Sequence, residues 1–153
     1  LKVMDLGSGG GFPGIPLMVF RPGLRCDLVE SRKKKADFLS RALGELGLDQ
    51  GRVVCERAES LSCCTAYDLI VSRAAASLEK LVKWGYPLLV PGRGRMVVLK
   101  GDDIGEELKR TGKLGLLQKE DRIVTKPYPR YGDKEKREGT VVVVEKNTIE
   151  GQV

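Results

Sequence analysis

Apolar and polar positions along this 153-residue chain fall into short blocks whose period alternates between that of a strand and that of a helix. Lys2–Leu6, Arg25–Glu30, Arg52–Arg57, Asp68–Ser72 and Gly94–Lys100 are brief, apolar and bounded by turn-forming residues, so each predicts a strand. Between them the spacing lengthens, predicting helices over Pro13–Phe20, Arg32–Leu46, Ser77–Leu89 and Asp102–Arg110. In the second helix Ala36, Leu39, Ala42, Leu43 and Leu46 share one face, and Gly47 supplies the stop. Pro13 is tolerated in a first helical turn, and Ser77 stands where an N-cap belongs. From Leu116 onward the pattern becomes two strands, Leu117–Tyr128 and Thr140–Lys146, joined by a polar loop.

Strands alternating with helices predict an α/β protein with a doubly wound, Rossmann-like fold on a mostly parallel sheet. The closing hairpin adds an antiparallel strand near the C-terminus, expected at the sheet edge. By length, residues 1–153 make one domain. The chain opens inside a strand, so a segment upstream is expected to be missing.

Lys and Arg outnumber Asp and Glu by 27 to 21, a net charge of +6 that favours polyanionic partners. The chain has no His, and Cys26, Cys55, Cys63 and Cys64 lack the spacing of zinc ligands. No metal and no disulfide are therefore expected. Cys26 and Cys55 sit in apolar strand-like runs, where a reduced Cys acts as a small hydrophobe, which suits a cytoplasmic protein. No apolar run reaches membrane-spanning length, and the start does not read as a signal peptide. A monomer is expected.

The densest chemistry lies in Asp5-Leu6-Gly7-Ser8-Gly9-Gly10-Gly11-Phe12-Pro13-Gly14. Glycines there allow positive φ and let a ligand approach without a Cβ in the way. Glu30 closes the second strand close to the offset of about 20 residues at which an acid meets the ribose of an adenine cofactor. Gly9, Gly11 and Gly14 satisfy GxGxxG, but a dinucleotide turn begins directly after its strand, and from Gly7 the third glycine is replaced by Phe12. Counted from Asp5 the string is DxGxGxG, the pattern of proteins that bind S-adenosyl-L-methionine.

GSGGGFPGIPL from Gly7, AES at Ala58, SRAAASL at Ser72 and LKG at Leu99 together resemble the RsmG (GidB) family, bacterial and organellar methyltransferases of guanine N7 in 16S rRNA. The resemblance implies that Asp5, Gly7, Gly9, Gly11 and Phe12 belong to the cofactor site and that Glu30 binds the ribose. It also implies that Ala58 and Glu59 flank the adenine and that Arg73 sits at cofactor and target base. Arg73, with Lys100, is the candidate catalytic cation. KPYPR at Lys126 is similar to the family's basic stretch, whereas Tyr131 to Glu138 departs from it. The resemblance implies an N-terminal helical extension in the family, which is expected to be the segment lacking here.

Guanine N7 has a free lone pair, so its methylation requires no proton abstraction and the lack of His is no obstacle. Two basic clusters offer phosphate contacts: Arg32 to Lys35, and the later Arg130, Lys134, Lys136 and Arg137. The later one is the preferred RNA contact because it joins two strands near the expected ligand edge. The expected partner is small-subunit rRNA, free or within the 30S particle. Two other readings stay open: a methyltransferase of the same fold acting on protein or a small molecule, and an RNA-binding α/β module without catalysis.

Overall fold

In the first strand, β1 (Lys2–Leu6), the side chains of Val3, Met4, Asp5 and Leu6 are all buried, because the chain covers both faces of the sheet there. The computed structural model describes residues 1–62, 67–73, 75–101, 103–129 and 138–148. Within them β1 is joined by β2 (Arg25–Val29), β3 (Gly51–Val54), β4 (Leu69–Arg73), β5 (Gly94–Lys100), β6 (Arg122–Pro129) and β7 (Glu138–Lys146). Their order across the sheet is β3-β2-β1-β4-β5-β7-β6. The first five run parallel, and β7 runs antiparallel to both β5 and β6.

The helices are α1 (Gly14–Phe20), α2 (Lys33–Glu45), α3 (Leu78–Gly85) and α4 (Gly105–Gly112). Met18 of α1 and Leu39 and Leu43 of α2 pack with Val3, Leu28 and Val71 in one apolar cluster. On the other face Leu78, Leu81 and Val82 of α3 join Met4, Ile70, Met96, Val142 and Val144. Full burial of each such side chain contributes roughly 1.5–3 kcal/mol. No helix among the described residues is long and apolar enough to cross a membrane.

Several boundaries differ from expectation for identifiable reasons. α2 ends at Glu45, and Gly47 at φ +62° turns the chain so that the Leu48 amide donates to the Leu43 carbonyl. Leu48 thereby joins the core, while Leu46, expected on the buried face, is exposed. β3 stops at Val54, leaving Cys55 exposed past the strand end rather than inside it. Cys26 is buried as expected, and burial pushes its thiol pKa up to about 12; Cys63 and Cys64 lie outside the described residues.

The antiparallel strand is also placed differently. β7 is not the edge strand but lies between β5 and β6. Its run of four valines has apolar side chains for both faces, with Val142 and Val144 fully buried. β6 is exposed at most positions and contains Pro127 and Pro129, which cannot donate to a ladder, and it takes the edge.

Candidate active site

Strand order reverses at β1: β2 and β3 lie on one side of it, β4 and β5 on the other. Ligands of open α/β sheets bind outside the carboxyl ends of the strands at such a point. A cleft of about 470 Å³ opens there.

The floor of the cleft is the turn after β1. The amides of Gly7 and Ser8 both donate to the Val29 carbonyl, and the Ser8 hydroxyl donates to the Asp5 carbonyl. Gly7, Gly9 and Gly11 have φ of +79°, +57° and +92°, a region other residues rarely adopt. A Cβ on Gly7 would lie 2.4 Å from the Ala75 Cβ, so the loop after β4 also needs the glycine. At Gly9, which lines the cleft, an added Cβ would meet only the Gly7 carbonyl, at 3.9 Å. The turn therefore leaves a backbone-lined cradle.

Glu30 closes one side. Its carboxylate accepts the Gly9 amide at 3.1 Å and the Arg32 amide at 2.8 Å, fixing the acid of β2 to the glycine turn. A carboxylate has roughly four acceptor positions, so two bonds leave capacity for a ligand hydroxyl. Beyond it, Ala58 and Glu59 lie in a 3-10 turn over Ala58–Ser60 and line the cleft, with Arg57 3.7 Å from Glu59. Arg73 ends β4 on the opposite side, its guanidinium 5.2 Å from the centre of the Phe12 ring. Ser72 is buried and donates to the Leu6 carbonyl at 2.7 Å, locking the ends of β1 and β4 together.

The structure thus brings Gly7, Gly9, Glu30, Ala58, Glu59 and Arg73 to one cleft. Other expected site residues stand elsewhere. Asp5 has no exposed surface and faces α1, where its carboxylate accepts the Gly14 amide at 2.9 Å. It supports the turn from below rather than lining the cleft. Burial raises its pKa to about 6, against the lowering influence of the Gly14 amide. Gly11 packs beneath the turn, where a Cβ would lie 2.5 Å from Ile15.

Lys100 is nearly buried and committed to protein partners. Its ammonium lies 2.9 Å from a Glu107 oxygen and donates to the Ala76 carbonyl at 2.9 Å. Glu107 also accepts the Leu78 amide at 2.6 Å, taking over the start of α3, while the buried Ser77 hydroxyl has no hydrogen-bond partner among the described residues and does not cap. Arg130, Lys134, Lys136 and Arg137 lie outside the described residues. Arg32, Lys35, Leu81 and Trp84 line the cleft without having been assigned to it. The first two belonged to a visible basic cluster, but nothing local in the sequence shows that α3 turns Trp84 toward the mouth of β1.

Solved structures share this architecture. TrmN from Thermus thermophilus superposes with a TM-score of 0.74 over 95% of this chain and 44% of its own, at 20% identity. A putative rRNA methylase from Clostridium thermocellum gives 0.70 over 98% of this chain and 88% of its own, at 18% identity. Those likenesses establish the fold. Sequence relatives are nearer: the ribosomal RNA small subunit methyltransferase G of Mycolicibacterium gilvum is 45% identical over 111 residues, 71% of this chain and 48% of the relative. The protein of that name from Carboxydothermus hydrogenoformans is 41% identical over 117 residues, 74% of this chain and 49% of its own. The chain spans about half the length of the curated relatives it matches. Since residues 1–128 also match the family's sequence model, the chain belongs to the GidB family, described as rRNA small subunit methyltransferase G.

Proposed function

We propose that the chain is the S-adenosyl-L-methionine-dependent catalytic core of an enzyme that methylates guanine N7 in small-subunit rRNA. The observation that carries this reading is the Glu30 carboxylate bonded to the Gly9 amide at the mouth of the cleft, joining acid and glycine turn in one site. The residues fit the cofactor: a cradle without side chains, an acid with free acceptor capacity, and an apolar wall from Ala58 and Leu81. When bound, S-adenosyl-L-methionine supplies an electrophilic methyl group.

The chain's own residues bind and orient. The glycine turn takes the methionine end, Glu30 the ribose hydroxyls, and Ala58 with Glu59 the adenine. Arg73 holds the target guanine through O6, as guanidinium groups do in nucleic-acid recognition. N7 attacks with its own lone pair, so alignment supplies much of the acceleration and no residue has to remove a proton. Lys100 acts at a distance, by holding Ala76 and Glu107.

RNA affinity comes from two sets of cations. β6 runs parallel to β1, so its end at Pro129 and the start of β7 at Glu138 lie at the carboxyl edge of the sheet. The basic residues Arg130, Lys134, Lys136 and Arg137 join those two ends. Arg32 and Lys35, lining the cleft, add a second set. The names of the curated relatives favour small-subunit rRNA over a protein or small-molecule acceptor.

Calorimetric titration with S-adenosyl-L-methionine tests the cofactor reading. Charge-assisted hydrogen bonds are worth about 1.5–3 kcal/mol each, so Glu30→Ala should weaken binding by at least about tenfold. Equal affinities for wild type and Glu30→Ala would refute the assignment.

A further inference from the structure

We propose that Trp84 is the aromatic wall of the cleft, packing against the adenine ring of the cofactor and conferring selectivity for a purine there. This deepens the reading that the cleft takes S-adenosyl-L-methionine, and it rests on that reading. Trp84 is the single tryptophan of the chain and, among the described residues, the one aromatic residue lining the cleft. It lies on α3, one turn beyond Leu81, which is fully buried and also reaches the cleft wall. α3 is in contact with the 3-10 turn carrying Ala58 and Glu59. The indole and Ala58 pack against the same apolar cluster, which places them on a common wall of the cleft.

Its chemistry suits a planar heterocycle. The ring is half-buried against the apolar cluster around Met96 and Leu78, which fixes its position while leaving surface toward the cleft. A flat, polarisable face favours stacked or edge-on contact with another aromatic ring. Among the described residues the indole N–H donates to no acceptor, so it remains available to a ligand nitrogen or to water. Leu81 and Ala58 add apolar surface to the same cleft, whereas Glu59 offers a carboxylate to an exocyclic amino group. A leucine or valine at position 84 would supply apolar area without ring geometry or a donor.

Because Trp84 is the only tryptophan, its emission reports this site alone. The wild-type chain is titrated with S-adenosylhomocysteine, adenosine and methionine, following fluorescence and, in parallel, heat. Saturable change with S-adenosylhomocysteine and adenosine, and none with methionine, is expected. Trp84→Ala should bind S-adenosylhomocysteine about tenfold more weakly or worse, as stacking on an aromatic side chain is lost, and Trp84→Phe should fall between the two. If S-adenosylhomocysteine binds by calorimetry but leaves the emission unchanged, or binds Trp84→Ala and Trp84→Phe as tightly as wild type, the proposal is overturned while the cofactor reading stands. If Trp84→Ala does not fold, wild-type emission and Trp84→Phe decide the matter. If the wild type binds no S-adenosylhomocysteine at all, the cofactor reading fails and this inference falls with it.

Discussion

Asp5 is a carboxyl group with no exposed surface, held beneath the glycine turn with one oxygen on the Gly14 amide and the other without a hydrogen-bond partner among the described residues. Removal from water disfavours its ionised form and raises its pKa from 3.8 to about 6. The folded value exceeds the unfolded one, so the group's contribution to stability is full below about pH 4 and is lost as pH rises through about 6. Asp5→Asn keeps an acceptor for Gly14 and cannot ionise. Its stability relative to wild type should therefore rise across that window, by up to about 3 kcal/mol. Urea unfolding of both proteins at about pH 4 and about pH 7 measures this, and a pH-independent difference would contradict it. The sequence placed Asp5 correctly at the head of DxGxGxG but not its orientation. Alternation along β1 sends Val3 and Asp5 toward α1 and Met4 and Leu6 toward α3, and only the fold shows which face meets the cleft.

At the scale of elements, the start of α3 is held by a contact between distant segments rather than by its own cap. Glu107 of α4 accepts the Leu78 amide and pairs with Lys100 at the end of β5, while Lys100 also holds the Ala76 carbonyl. Burial works to raise the Glu107 pKa, but the Lys100 ammonium and the Leu78 amide outweigh it and hold the group below the usual carboxylate range. A depressed value gives stability above the unfolded pKa that is lost as pH falls through the folded one. Lys100→Met removes the ammonium and should cost about 2 kcal/mol at neutral pH, an effect that shrinks in acid. Chemical unfolding monitored at both pH values checks it; a variant as stable as wild type would rule the strut out. Ser77 illustrates why the sequence misled here. Its position and backbone suit an N-cap, yet the partner that wins lies 30 residues downstream, beyond any local pattern. The β6–β7 hairpin was legible for a similar reason in reverse: two apolar runs and a polar loop announce it, but which strand is interior depends on valines finding both faces covered.

Across the whole molecule, the alternation of strand and helix was enough to foresee a doubly wound sheet, and the glycine turn with Glu30 marked its switch point. Ala58 and Glu59 were reached only through the family resemblance, and Leu81 and Trp84 were not legible, because α3 is brought to β1 only by packing on the sheet. The assembled cleft gathers a backbone cradle, an acid and Arg73 at the carboxyl edge of β1, β2 and β4. As proposed, this arrangement transfers a methyl group to one nitrogen of one base. The most direct measurement incubates the purified chain with methyl-labelled S-adenosyl-L-methionine and small-subunit rRNA, both naked and in 30S particles, and then digests the RNA to nucleosides. Label is expected in 7-methylguanosine with at least one of the two substrates; cofactor binding accompanied by no label in RNA, or by label in any other nucleoside, would contradict the proposed function.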